Sequence, residues 1–164
     1  MKGVNMLYIQ REKTFNEIVD KYSAMIFRIA YQNLHNRYDA EDIMQEVFVK
    51  LIYKKHIFAD HEHIKAWLIR VTINICINYK KSLSKQRTVP LEEFDTEFTD
   101  SEKGILEELW LLEQEDRIIL YLYYYEGYKI KEIAKILQQK QNTVNSKLTR
   151  ARKKLKRVME DYYE

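Results

Sequence analysis

From Phe15 the apolar residues Phe15, Ile18, Val19, Tyr22, Met25, Ile26, Ile29 and Ala30 recur at three- and four-residue steps, the pattern of a helix with one buried face. A polar break over residues 35–38 ends it. Asp39 is placed to cap a second helix, whose inward positions are Ala40, Ile43, Met44, Val47, Phe48 and Leu51. Its outward stripe is Asp42, Gln45, Glu46 and Val49, acids mixed with a valine, which reads as a plain surface or as a protein-docking face. After a short loop over 56–62, a third helix sets Ile64, Trp67, Leu68, Val71 and Ile75 inward. Three such helices can enclose one small core.

No sustained period continues through 85–101, which holds the only proline, Pro90, and reads as an extended or flexible linker. Helical spacing resumes near Ile105 and runs through Leu106, Leu109, Trp110 and Leu112, then through Ile118, Ile119 and Leu122. The tyrosines Tyr121, Tyr123, Tyr124 and Tyr125 surround that helix, so core packing is expected of them. Gly127 closes it. Ile130, Ile133, Ala134 and Leu137 then mark one inward stripe, and Val144, Leu148, Ala151 and Leu155 another. Two helices separated by a turn of three or four residues have the organisation of a helix-turn-helix. The expected architecture is all-α, with two small helical domains, 1–84 and 105–164, joined by a linker over 85–104.

Composition agrees with this division. Three glycines and one proline in 164 residues leave little material for strands and tight turns. No apolar run reaches the length of a membrane span, and the first residues lack the hydrophobic region of a signal peptide, so a cytoplasmic protein without membrane insertion is expected. The single cysteine, Cys76, cannot form an internal disulfide and lies in an apolar helical run, where packing is its expected role. His56, His61 and His63 cluster, but no cysteine or acid accompanies them at zinc-site spacing. Neither a metal nor a cofactor is expected.

Charge changes the picture most. Residues 128–157 carry eleven Lys or Arg against one acid, Glu132, whereas residues 92–116 carry eleven acids against one base, Lys103. The whole chain is only +3. Such polarity suggests one end that binds a polyanion and an acidic stretch that keeps clear of it. On the second helix of the pair, Asn142, Thr143, Asn145, Ser146, Lys147, Thr149 and Arg150 supply the polar and basic groups that read base edges in a major groove. Lys153, with Arg152, Lys154, Lys156 and Arg157, suits phosphate contact. In the first domain Asn74, Asn78, Lys80 and Lys81 form a smaller polar and basic patch.

Two separated motifs carry a family resemblance. Asp39-Ala40-Glu41-Asp42-Ile43-Met44-Gln45-Glu46-Val47-Phe48 resembles region 2 of the extracytoplasmic-function (ECF) group of bacterial RNA polymerase sigma factors. The run from Tyr128-Lys129-Ile130-Lys131-Glu132-Ile133-Ala134 through Asn142-Thr143-Val144-Asn145-Ser146-Lys147-Leu148 to Arg150-Ala151-Arg152-Lys153-Lys154-Leu155 resembles region 4. The resemblance implies that Asp42, Gln45, Glu46 and Val49 dock on core RNA polymerase. It places Phe58, Asp60 and His61 in a loop that captures a flipped promoter base, and Arg70, Asn74, Asn78, Lys80 and Lys81 on the minus-10 element. Asn142, Thr143, Asn145, Ser146, Lys147, Thr149, Arg150 and Lys153 fall on the minus-35 element. Core polymerase and promoter DNA are the implied partners, and an anti-sigma factor is common in the family.

The chain also departs from the family pattern. Asn78 and Lys81 stand where Asp and Arg are frequent, Glu113 where Pro is frequent, Gln138 and Asn142 where Gly is frequent, and Asn145 where a base is common. These departures leave the fold expectation intact and the promoter sequence open. A stand-alone helix-turn-helix regulator is the rival reading, although no dimerisation heptad supports it. A nuclease ranks last, since the acids do not converge as metal-assisted cleavage requires.

Overall fold

A computed structural model describes residues 2–54, 58–83 and 108–163. Among them every regular element is helical, in the order α1 (Lys2–Leu34), α2 (Arg37–Tyr53), α3 (His61–Leu83), α4 (Gln114–Leu120), α5 (Ile130–Leu137) and α6 (Gln141–Tyr163). A π-helical turn, Tyr121–Tyr125, extends α4. The chain divides into two compact units, Met1–Leu91 and Glu92–Glu164. The linker expected over 85–104, His56 of the expected interhelix loop, Ile57 of the expected base-capture loop, and the helical start at Ile105 and Leu106 lie outside the described residues.

In the first unit α1, α2 and α3 pack against one another. Ile26, Ile29 and Ala30 of α1 and Ala40, Ile43 and Val47 of α2 are all buried, and the rings of Phe15 and Phe48 lie edge to face with centroids 6.2 Å apart. α1 begins well before Phe15. It stops where His35 turns left-handed at φ 57, a conformation that His tolerates better than most side chains. The cap of α2 is Asn36 and not Asp39: the Asn36 side chain accepts from the Asp39 N–H at 2.9 Å, which satisfies one of the helix's open donors. Asp39 instead receives the Tyr79 hydroxyl at 2.8 Å, tying the first turn of α2 to the end of α3.

The inward face of α3 differs from the periodic expectation. Ile64 and Leu68 are buried as expected, but Ile69, Thr72, Ile73 and Cys76 complete the face, while Trp67, Val71 and Ile75 are only half-buried on its flank. Nearly every position from Ile64 to Ile77 is apolar on one side or another, so spacing alone fixes the phase poorly. Thr72 can take an inward place because its hydroxyl donates to the Leu68 carbonyl at 2.7 Å, sparing the core an unsatisfied polar group. Burial pushes the Cys76 thiol up to about 12, consistent with a packing role and inert chemistry.

In the second unit, five consecutive residues from Ile118 to Leu122 are buried, so α4 and its π-turn form a central element covered on several sides. Tyr121 stacks on Tyr125 at 4.9 Å and donates its hydroxyl to Glu126. Tyr121 is thus core, as expected; Tyr123 and Tyr125 are half-buried, and Tyr124 is exposed. Gly127 follows at φ +73, where a side chain would be strained. Also buried in this unit are Leu109 and Leu112 from before α4, Ile133, Ala134 and Ile136 from α5, and Val144, Leu148 and Ala151 from α6, the helix that packs on α4 and α5.

Burial, and then the Asp39 hydrogen bond and charge, raise the Tyr79 phenol from 10.0 to about 12. A raised folded-state value stabilises the fold fully below pH 10 and is lost as pH climbs toward 12. Tyr79→Phe is expected to cost about 1 kcal/mol in urea denaturation at neutral pH. The gap to the wild type should close between pH 10 and 12; a gap that is constant with pH would assign the loss to packing alone.

Candidate functional site

The helix-turn-helix is built from α5, a three-residue turn over 138–140, and α6. Glu132 folds back to accept the Lys129 N–H at 2.7 Å, closing the first turn of α5. At the other end Gln138 adopts the left-handed conformation, φ 54 and ψ 42, and the Gln139 N–H reaches the Ala134 carbonyl at 2.9 Å. That six-to-one bond is the usual helix stop normally served by glycine. The Lys140 carbonyl then accepts the Val144 N–H at 3.1 Å and opens α6. Ile136 is buried and Leu137 half-buried, a small rotation of the α5 face from the expected phase.

Val144, Leu148 and Ala151 form the buried seam of α6, and helical geometry turns the opposite face outward. Asn142, Thr143, Asn145, Ser146, Thr149, Arg150 and Lys153 are all exposed. The Thr149 hydroxyl donates to the Asn145 carbonyl at 3.0 Å, which fixes its rotamer. The two flanks of the seam are occupied. On one, Lys147 donates to Glu115 at 2.8 Å and Lys154 pairs with Asp116. On the other, the Arg152 guanidinium lies 5.0 and 5.5 Å over the rings of Tyr123 and Tyr124. Lys147 is thus the one residue of the expected minus-35 set that is held mostly inside. Asp116 is buried and does not belong to a solvated acidic stretch. Beside it, burial lowers Arg117 to about 10, partly offset by Glu113.

In the first unit, α2 presents Asp42, Gln45, Glu46 and Val49 to solvent. Glu46 also meets Lys50 at 3.3 Å, an exposed pair of little weight. Spacing alone would have extended this stripe, since Tyr38 lies four residues before Asp42 and Ile52 and Tyr53 lie three and four after Val49. These side chains are 69%, 60% and 78% exposed, unusual for large apolar groups on one helix face.

Phe58 packs edge-on against Trp67 with ring centroids 5.5 Å apart, and the Lys54 ammonium sits 5.3 and 4.8 Å from the two rings. Lys54 had no motif to reveal it. Trp67 is therefore half anchor and half part of this surface cluster. Asp60 caps α3, accepting both the His63 N–H and its Nδ1 at 2.9 Å, and the backbone bond holds its carboxyl below the ordinary range. The His61 carbonyl accepts the Tyr22 hydroxyl at 3.3 Å, which ties this corner to α1. Farther along α3, Asn74, Asn78 and Lys81 are exposed and Arg70 and Lys80 half-buried; Arg70, Asn74, Asn78 and Lys81 share one face. Among the described residues no group of three His, Cys, Asp or Glu is placed to hold a metal, and no helix is long and apolar enough to cross a membrane.

Residues 18–86 match the family profile for Sigma-70 region 2 and residues 105–155 that for Sigma-70, region 4. The RNA polymerase sigma factor SigV of Bacillus subtilis is 30% identical over 135 residues, covering 77% of this chain and 80% of that protein. The chain belongs to the RNA polymerase sigma-70 family. Its ECF group is marked by the ECF RNA polymerase sigma factor SigX of Bacillus subtilis, 24% identical over 165 residues, with 91% of this chain and 85% of SigX covered. The fold is shared with the sigma factor RpoE of Bartonella quintana, solved with the anti-sigma factor NepR. That match has a TM-score of 0.72 at 18% identity and covers 90% of this chain and 98% of RpoE. In this sigma factor, accordingly, α2 and α3 belong to region 2, and α5 and α6 to region 4.

A left-handed non-glycine residue costs about 1 to 2 kcal/mol, and glycine returns part of that as chain entropy. Gln138→Gly is therefore expected to stabilise the second unit by about 0.5 to 1 kcal/mol, read as a higher urea midpoint. A lower midpoint would show that the Gln138 side chain contributes more than its backbone costs.

Proposed function

We propose that the two units divide promoter-directed initiation between them, with α6 reading the minus-35 element and α2 and α3 serving the polymerase and the minus-10 element. The chain is an alternative sigma factor that binds core RNA polymerase and directs promoter-specific transcription. The observation that carries the division is the face of α6. Asn142, Asn145, Ser146, Thr149 and Arg150 stand outward together, opposite a buried seam that fixes their direction. Arginine there can pair with guanine and asparagine with adenine, while Lys153 follows the phosphates. On α2, Asp42, Gln45, Glu46 and Val49 form the polymerase contact, extended by Tyr38, Ile52 and Tyr53. Around α3, Phe58, Asp60, His61, Arg70, Asn74, Asn78, Lys80 and Lys81 address the minus-10 region. Asp60 serves there by capping α3 and shaping the loop.

The protein works in the cytoplasm as a regulator and carries out no covalent chemistry of its own. Its family acts by regulation and not by catalysis. An anti-sigma factor belongs to this reading as a further partner, as for RpoE with NepR.

Promoter-dependent transcription with sigma-free core polymerase on a library of AT-rich fragments tests the function, with discrete start sites sharing two upstream elements as the expected product. Failure both to bind core and to initiate, with folded protein, would favour a stand-alone regulator. Arg150→Ala should weaken recognition of the upstream element by about 1 to 3 kcal/mol. Gln45→Ala should lower affinity for core polymerase and leave DNA binding by α6 unchanged. Equal losses in both assays would overturn the division of roles.

A further inference from the structure

Lys147 and Lys154 lie seven residues apart, two turns along α6, and so occupy the same flank of its buried seam. Their partners are consecutive residues in the first turn of α4, Glu115 and Asp116. The two pairs are not equivalent. Asp116 is the buried member of its pair, with 9% side-chain exposure against 51% for Lys154. In the other pair the lysine is withdrawn, 17% exposed, while Glu115 is 74% exposed. Asp116 thus reads as a fixed part of the packing between α4 and α6, whereas Glu115 is held chiefly by the ammonium it meets.

We infer that Glu115 is an internal counter-anion that withholds Lys147 from DNA phosphate and so limits the sequence-independent affinity of α6. A carboxylate at 2.8 Å from the Lys147 ammonium occupies the place a phosphate oxygen takes in a protein–DNA contact. The exposed recognition face is left with Arg150, Lys153 and Arg157 as its cations, beside the polar readers Asn142, Asn145, Ser146 and Thr149. Lys147 stands on the flank of the buried seam and not among the exposed readers, contrary to its expected base-reading place, so the contact withheld is one to phosphate, which carries no sequence information. Glu115 is in this sense a positioning residue for Lys147, and the inference rests on α6 being the DNA-contacting helix.

The test uses the full chain and a mixed-sequence 20-base-pair duplex as probe, with binding followed by fluorescence anisotropy across a salt series. Glu115→Gln should bind the duplex about two- to fivefold more tightly at low salt, the scale of an exposed ion pair. It should also steepen the dependence of log affinity on log salt by about 0.9, the increment for one added phosphate contact. Removing any acid near DNA raises affinity somewhat, so the same change is made in a Lys147→Gln background, where both effects should largely vanish. Equal gains in both backgrounds, or an unchanged salt slope in the first, would overturn the inference. A fall in affinity with an intact thermal transition would also overturn it and make the pair a brace for the recognition helix. Arg150→Ala and Lys153→Gln, measured alongside, test the underlying reading separately, since neither variant touches Glu115 and both lose affinity only if α6 contacts the duplex.

Discussion

Everything useful about α6 depends on its buried seam. Val144, Leu148 and Ala151 are fully enclosed against the rest of the second unit, and a helix pinned along one stripe has no freedom to choose what it shows on the others. A buried valine or leucine side chain contributes about 1.5 to 3 kcal/mol, more than a single surface pair. The polar readers therefore face solvent because the apolar seam faces inward. The same constraint operates on α2, where Ala40, Ile43 and Val47 turn Asp42, Gln45, Glu46 and Val49 outward.

Electrostatics refines this arrangement without creating it. The run of eleven bases looks uniform in the sequence, but the fold sorts it into groups with different work. Lys147 and Lys154 are engaged by acids of α4, Arg152 lies over two tyrosine rings, and Lys156 meets Glu160 on its own helix at 3.6 Å. Arg150, Lys153 and Arg157 remain on the exposed side of α6. Acidic residues near the start of a helix are favoured by its dipole, so Glu115 and Asp116 are stabilised at α4 before they meet a lysine. Part of the acidic stretch is in this way a structural component of the basic domain.

The corner between α2 and α3 shows the same economy with aromatic groups. Phe58 and Trp67 pack together under Lys54, Asp60 caps the next helix, and the His61 carbonyl takes the Tyr22 hydroxyl. Side chains fixed by such contacts have less entropy left to lose on binding. Tyr38, Val49, Ile52 and Tyr53 on the neighbouring helix are exposed, which makes α2 the most apolar outward surface described in the first unit.

The sequence alone determined the helical class, the two-part organisation seen in its motifs, the helix-turn-helix and the outward residues of α2 and α6. Strong amphipathic periods and a charged, motif-bearing helix are local properties that survive without a partner in view. Phase was lost where periodicity was weak: along α3 the apolar residues run nearly all round, and only packing against α1 and α2 selected Ile69, Thr72, Ile73 and Cys76 over Trp67, Val71 and Ile75. Caps shifted for a related reason, since Asn36 and Asp39 are both good capping residues and the sequence does not say which will find another partner. The pairings of Glu115 with Lys147 and Asp116 with Lys154 join residues 32 and 38 positions apart. No spacing rule reaches that far, so the tertiary structure decided which of the many acids and bases neutralise each other.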